Sequence, residues 1–132
     1  MNGDIAYLDS SAFVKLVAPE AETAALSRYL LAWPRHVSSS LLRVEALRAA
    51  RRATRDAEAR THARLRSILL VAIGEEVLDL AARLDPPRLR ALDAIHLATA
   101  RLLETDLGVL ITYDQRLAEA ASTLGVPVSS PA

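Results

Sequence analysis

Short apolar runs alternate with longer helical stretches along the whole chain. The first apolar run is Ile5-Ala6-Tyr7-Leu8, which ends at Asp9. Ser10 and Ser11 follow at once, and serine is a typical helix N-cap residue. Prolines end the first two helical stretches. The pattern therefore predicts a strand that leads directly into a capped helix, repeated along the chain.

The same pattern predicts the remaining elements. Strands are expected at 5–8, 36–38, 70–73, 109–111 and, at a sheet edge, 126–129, and helices at 11–17, 20–32, 40–53, 56–70, 75–84, 89–104 and 114–124. Strands that are separated by helices need crossover connections, which favour a parallel sheet with helices on both faces. We predict a single α/β domain over residues 1–132, a three-layer α/β/α sandwich with a central parallel sheet of four to five strands.

Composition narrows the class of protein. The chain has 132 residues and no cysteine, which excludes disulfide frameworks, cysteine-ligated metals and thiol nucleophiles. The beginning of the chain lacks a basic segment followed by an apolar core, and the longest apolar run, 68–73, is too short to span a membrane. We expect a cytoplasmic protein without a membrane partner.

Charge is balanced overall but unevenly distributed. Sixteen basic and sixteen acidic residues cancel, so the chain lacks the basic excess of a non-specific nucleic-acid binder. Eight arginines nevertheless lie between 43 and 66, against three acids. Arg43 and Arg48 can bind phosphate groups, receive an acidic protein tail, or form a solvated face. Arg116, close to Asp114, can contact a substrate phosphate or lie on a solvated helix.

Four carboxylates occupy positions that indicate a site. Asp9 directly follows the first strand and Asp114 lies three residues beyond Ile111, where the crevice of an open parallel sheet forms. Glu45 and Asp93 lie on helix faces that are otherwise apolar. A buried carboxylate is normally paired, protonated or bound to a metal. Oxygen ligands from separate segments suit Mg²⁺ or Mn²⁺, which activate water and polarise a phosphoryl oxygen.

Each of these acids also has a purely structural interpretation. Asp9 can cap the first helix with its serines, Glu45 can pair with Arg48, Asp93 can bond to a nearby loop, and Asp114 can cap the last helix. His96 lies one turn after Asp93 and could reach it. We interpret His96 as a packed structural histidine and do not assign it to the site.

The segments that carry the four acids resemble the PIN-domain nuclease family, and specifically its VapC-type toxins. The matching motifs are Tyr7-Leu8-Asp9-Ser10-Ser11-Ala12, Ser38-Ser39-Ser40-Leu41-Leu42-Arg43-Val44-Glu45, Leu89-Arg90-Ala91-Leu92-Asp93-Ala94-Ile95-His96-Leu97-Ala98-Thr99-Ala100 and Leu110-Ile111-Thr112-Tyr113-Asp114-Gln115-Arg116-Leu117. The third motif, an aspartate within an apolar helix, is the most specific. The four together span nearly the whole chain.

The resemblance implies a Mg²⁺- or Mn²⁺-dependent endoribonuclease, the toxin of a type II (VapBC) toxin–antitoxin pair. Such toxins cleave RNA, form homodimers and are held inactive by a VapB-like antitoxin. Carried over by motif, Asp9, Glu45, Asp93 and Asp114 are the catalytic and metal-binding acids, with Asp9 and Asp93 as the firmest ligands. Ser10 and Thr112 match hydroxyl positions that orient the carboxylates or hold water.

Two other functions stay open at this point, a housekeeping PIN-domain nuclease in RNA processing and a catalytically weak binding module that acts through an antitoxin complex on operator DNA. Two unrelated classes are excluded by single residues. A receiver domain needs a late lysine, whereas the one lysine here is Lys15, and a haloacid-dehalogenase-type phosphatase needs an aspartate where Ser11 stands.

Overall fold

A five-stranded parallel sheet forms the centre of the structure, a computed structural model that describes residues 2–132. Its strands are β1 (Ile5–Leu8), β2 (Arg35–Ser39), β3 (Leu69–Val71), β4 (Leu107–Ile111) and β5 (Val128–Ser129). They lie in the order β3-β2-β1-β4-β5, and each neighbouring pair is parallel. β1 is therefore the central strand, and the strand order reverses beside it.

Within residues 2–132, seven α-helices and one short 3-10 helix connect the strands. They are α1 (Ser10–Val17), α2 (Thr23–Leu30), α3 (Leu41–Arg51), α4 (Arg55–Leu65), α5 (Glu75–Arg83), α6 (Ala91–Arg101), the 3-10 helix Glu104–Asp106, and α7 (Gln115–Thr123). Each crossover returns the chain to the same end of the sheet, which brings the carboxyl ends of the strands together.

Alternate side chains of β1 pack into opposite layers. Ile5 and Tyr7 belong to a core that includes residues of α5, α6 and α7, whereas Ala6 and Leu8 belong to a core with α1 and α2. A third cluster joins Phe13 of α1 to residues of α3 and to the end of α4. All four residues of β1 are buried, as expected for a strand covered on both faces. The predicted three-layer α/β/α sandwich is confirmed.

Several element boundaries differ from the sequence prediction, the most at the end of α4. Helix α4 ends at Leu65 rather than at residue 70, because the chain turns there to enter β3, which covers 69–71 instead of 70–73. Helix α6 ends at Arg101 rather than at residue 104. Glu104 adopts a left-handed backbone conformation with φ of 52°, which cannot continue an α-helix.

Among the helices described for residues 2–132, none is both long enough and apolar enough to cross a membrane.

Candidate active site

The site is built where β1 and β4 end side by side. Leu8 of β1 is in register with Ile111 of β4, so the next residues, Asp9 and Thr112, lie next to each other. The backbone N–H of Asp9 donates to the carbonyl of Ile111 at 3.3 Å. The Thr112 hydroxyl Oγ1 donates to Oδ2 of Asp9 at 2.5 Å. The parallel register of the two strands thus fixes the position of the first carboxylate.

Asp9 is buried, with only 2% of its surface exposed, and both of its carboxylate oxygens accept hydrogen bonds. Oδ1 accepts from the hydroxyl of Ser11 at 2.7 Å and from the backbone N–H of Ala12 at 3.0 Å. Burial raises the pKa of Asp9, while the bonds from Thr112 and Ser11 oppose that rise. The contact with Ala12 is the predicted N-cap of α1, so Asp9 combines this structural role with a place in the site.

The hydroxyl that reaches Asp9 is that of Ser11, not that of Ser10, to which the sequence analysis assigned this role. Ser11 Oγ lies 3.3 Å from Thr112 Oγ1 and accepts from the backbone N–H of Tyr113 at 2.9 Å. Ser10 is the first residue of α1. Which of two adjacent serines turns toward the aspartate depends on the phase of the helix start. The sequence motif contained both serines and did not separate them.

Asp114 lies at the N-terminus of α7, where it is the N-cap residue. Its Oδ1 accepts from the backbone N–H groups of Arg116 at 2.9 Å and Leu117 at 3.3 Å. Its own N–H donates to Thr112 Oγ1 at 3.1 Å. Asp114 therefore caps the last helix, as the structural interpretation of the sequence expected. Thr112 also links it to Asp9, since the same hydroxyl contacts both residues.

Among the four acids, Asp93 has the fewest hydrogen-bond partners in the described part of the chain. It is partly buried in the first turn of α6, and within residues 2–132 no hydrogen-bond donor contacts its carboxylate. Its pKa is raised, first by burial and then by the negative charges of Asp114 and Asp9. The negative charges of Asp114 and Asp9 therefore disfavour the ionised form of Asp93, and Arg90 and His96 oppose this effect without cancelling it.

Glu45 is held by a hydrogen bond to a residue of another helix. Its Oε1 lies 2.7 Å from Nε2 of His96, so its partner is a residue of α6 and not Arg48, the partner in the purely structural alternative. His96 is 1% exposed, as expected for a packed histidine, and its Nδ1 lies 2.7 Å from the Tyr7 hydroxyl. Both partners of His96 lie far from it in sequence, and no local pattern indicated them.

The donor chemistry of the site fits a hard divalent cation. The groups that gather at the strand ends are carboxylate and hydroxyl oxygens, which Mg²⁺ and Mn²⁺ prefer. Over residues 2–132, no three acidic or histidine side chains converge as a ready-made ligand set. Mg²⁺ commonly takes only one or two carboxylates and completes its shell with water and substrate phosphate. The repulsion around Asp93 supplies a reason for a cation to bind there.

Two adjoining cavities lie along α7, and Asp114 lines one of them. The nearer one, about 420 Å³, is lined by Arg90, Asp114, Gln115, Arg116 and Glu119. The other, about 810 Å³, shares Arg116 and Glu119 and continues along α7 to Arg88. Arg116 was predicted here, whereas Arg88 and Arg90 were missed although Arg90 stands within the third sequence motif. Arg43 and Arg48 are exposed on α3, outside both cavities.

Comparisons with known proteins agree on one family. A family model for the PIN domain matches residues 6–122. The chain is 49% identical over 125 residues to Ribonuclease VapC46 of Mycobacterium tuberculosis, an alignment that covers 95% of this chain and 96% of the relative. A toxin-antitoxin complex from Klebsiella pneumoniae matches with a TM-score of 0.74 at 25% identity, over 96% of this chain and 98% of that one.

A second solved structure is similar in fold alone. VapC20 of Mycobacterium tuberculosis, described as a sarcin-ricin loop cleaving toxin, matches with a TM-score of 0.68 at 16% identity. The match covers 87% of this chain and 94% of that one.

The electrostatic repulsion at Asp93 leads to a test of stability without RNA. In metal-free buffer at pH 8, we expect Asp93→Asn to raise the Tm by about 2–4 °C, since it removes a charge that its neighbours disfavour. A raised pKa in the folded state means that this gain shrinks as the pH falls and the wild-type carboxyl becomes protonated. Scanning calorimetry at two pH values measures both effects.

The matched control is Asp79→Asn, which removes an exposed aspartate from α5. Mn²⁺ is expected to raise the Tm of the wild type and of the control, and to have a much smaller effect on Asp93→Asn. A lower Tm for metal-free Asp93→Asn, or equal Mn²⁺ effects on all three proteins, would contradict this description of the site.

Proposed function

The chain belongs to the VapC ribonucleases of the PIN-domain family, and from that premise we propose that it cleaves RNA with a divalent metal ion held by the carboxylates at the ends of β1 and β4. Ribonuclease activity and the role of toxin follow from this membership. The metal and the residues that hold it are the proposal. The observation that carries it is the partly buried Asp93, whose pKa is raised by burial and by the charges of Asp114 and Asp9.

Asp9 and Asp93 are proposed as the principal metal ligands, and Glu45 and Asp114 as the acids that complete the catalytic set. When bound, Mg²⁺ or Mn²⁺ supplies an activated water and a polarised phosphoryl oxygen. Thr112 and Ser11 hold the carboxylate of Asp9 in one orientation. Because Asp9 is held by strand register and by three donors, little reorganisation is needed when the site is filled.

Asp114 has a second task in this proposal. Its Oδ1 is engaged by the first N–H groups of α7, which leaves Oδ2 for water or for a cation. It lines the nearer cavity together with Arg90 and Arg116, which supports a role close to an incoming substrate phosphate. We therefore assign Asp114 to the acidic set as its most peripheral member.

RNA is proposed to approach through the cavities beside Asp114. Arg90 and Arg116 line the nearer cavity together with Asp114, and Arg88 extends the basic lining along α7. Guanidinium groups bind phosphate oxygens in a bidentate manner. Arg43 and Arg48, exposed on the helix that carries Glu45, are proposed as a second contact surface for RNA.

A VapB-like antitoxin is the proposed protein partner. The toxin-antitoxin complex from Klebsiella pneumoniae, which covers nearly all of this chain at 25% identity, supports this assignment. The antitoxin would hold the nuclease inactive, and a small antitoxin gene beside the gene for this chain would favour the toxin over a housekeeping nuclease.

The first prediction from this proposal concerns RNA cleavage itself. Purified, antitoxin-free protein with Mn²⁺ or Mg²⁺ is expected to cut total RNA into discrete fragments, and sequencing of the fragment ends then gives the target. EDTA should abolish cleavage, and Asp93→Asn should lower the rate at least 100-fold, the order expected when a catalytic metal is lost. An antitoxin encoded by a gene next to the gene for this chain should suppress RNA cleavage.

The Asp79→Asn variant serves as the matched control and is expected to cut like the wild type. Cleavage that persists undiminished in EDTA, or in Asp93→Asn, would contradict the proposed site. A folded protein that binds Mn²⁺ yet leaves every RNA intact would favour the binding-module alternative.

The second prediction concerns the arginines. Replacing both Arg90 and Arg116 with alanine is expected to weaken RNA binding and to reduce the slope of log K against log salt by about 1.4, since each single-strand phosphate contact contributes about 0.7. Filter binding in EDTA over a salt series measures the slope without cleavage. The Arg43→Ala, Arg48→Ala pair is tested in the same way, and Arg28→Ala on α2 is the control. If the slope is unchanged when a pair is replaced, the two arginines of that pair do not contact RNA phosphates.

The third prediction concerns assembly. A homodimer is proposed from the family and from large apolar side chains that stay exposed in the single chain, among them Leu31 at 86% and Leu69 at 65%. Sedimentation at micromolar concentration is expected to show a species of twice the 14.3 kDa chain mass. A single 14.3 kDa species would contradict the dimer.

A further inference from the structure

A buried chain of three side chains connects the core to Glu45. The hydroxyl of Tyr7 lies 2.7 Å from Nδ1 of His96, and Nε2 of His96 lies 2.7 Å from Oε1 of Glu45. Tyr7 and His96 are almost completely buried, and their rings pack edge to face with centroids 5.8 Å apart. The imidazole is thus held on both nitrogens and by its ring.

The partners determine which nitrogen carries the hydrogen. The carboxylate of Glu45 can only accept, so Nε2 carries a hydrogen and donates it to Oε1. In the neutral imidazole Nδ1 is then the acceptor, and the Tyr7 hydroxyl, 2.7 Å away, donates to it. Ser38 donates to the carbonyl of Leu8 and Thr99 to that of Ile95, so neither hydroxyl donates to Nδ1.

The contact also bridges two layers of the fold. His96 belongs to α6, which packs in the core with α5 and α7, whereas Glu45 belongs to α3, which packs with α1 and α4. The bond to His96 holds one of the two carboxylate oxygens of Glu45. The other oxygen is left for a ligand or for water.

We propose that His96 is a positioning residue, which holds Glu45 through an Nε2–H donor that Tyr7 orients, so that the carboxylate is placed for metal and RNA before either binds. This inference rests on the proposed function, because it assumes that Glu45 belongs to the acidic set. The competing explanation is that His96 only ties two helix layers together.

Two substitutions of His96 separate these explanations. In His96→Gln, the amide nitrogen can take the place of Nε2 and donate to Glu45, whereas in His96→Asn the shorter amide reaches only the place of Nδ1, near Tyr7. We expect His96→Asn to lower kcat for RNA cleavage and Mn²⁺ affinity by about 10- to 100-fold, with KM for RNA changed less than about 2-fold, and His96→Gln to recover most of the loss. Equal losses in the two variants would overturn the proposal.

A double-mutant cycle with Glu45→Gln gives the second readout. If His96 acts through Glu45, His96→Asn is expected to cause almost no further loss of kcat in the Glu45→Gln background, whereas independent roles give multiplying losses. Full activity of Glu45→Gln would remove Glu45 from the site and with it part of the proposed function. An inactive Glu45→Gln beside a fully active His96→Asn would overturn this inference alone.

The third readout needs neither metal nor a variant. Imidazole ¹⁵N NMR of the metal-free wild type is expected to show a protonated Nε2 and an unprotonated Nδ1 for His96. A hydrogen on Nδ1 with a bare Nε2 would overturn the proposal whatever the stability of the variants.

Discussion

The negative charges that Asp9 and Asp114 place near the partly buried Asp93 are the constraint on which the rest of the site depends. Asp9 is buried, and its charge is offset by donors from Ser11, Ala12 and Thr112. Asp93 has no such donors in the described residues, and its pKa is raised by burial and by the two aspartates beside it. If stability were the only requirement, replacing this carboxylate with a neutral side chain would increase the free energy of unfolding. A cation that binds beside Asp93 and offsets the negative charges explains why the carboxylate is present.

The topology of the sheet is what brings these groups together. Because β1 is central and pairs with both β2 and β4, residues that follow β1 and β4 meet at one edge although about a hundred positions separate them in sequence. Helices on the two sides then contribute Glu45 and Asp93 from opposite layers. The hydroxyl of Thr112 links the ends of the two strands, since it contacts Asp9 and the backbone of Asp114. The site thus rests on strand register more than on any loop conformation.

The sequence predicted the fold well, because the order of strands and helices follows local patterns. The four acids were singled out by the same kind of pattern, since Asp9 directly follows an apolar run, Asp114 lies three residues beyond another, and Asp93 is a charge within an apolar helix. Contacts between distant segments were not visible. The local pattern offered Glu45 a structural partner one helical turn away, Arg48, whereas its partner is His96, 51 positions further along the chain. The choice of Ser11 over Ser10 depends on helix phase, which composition does not determine.

A Mn²⁺ titration of protein labelled with ¹³C at its carboxyl groups, followed by NMR line broadening in the absence of RNA, tests directly whether the site binds a divalent cation. We expect the carboxyl signals of Asp9 and Asp93 to broaden at the lowest Mn²⁺ concentrations, well before those of the exposed Glu75 and Glu76 on α5. If the exposed glutamates broaden first, or if all carboxyl groups broaden together, the site at the ends of β1 and β4 has no preference for a divalent cation and the proposed metal site is contradicted.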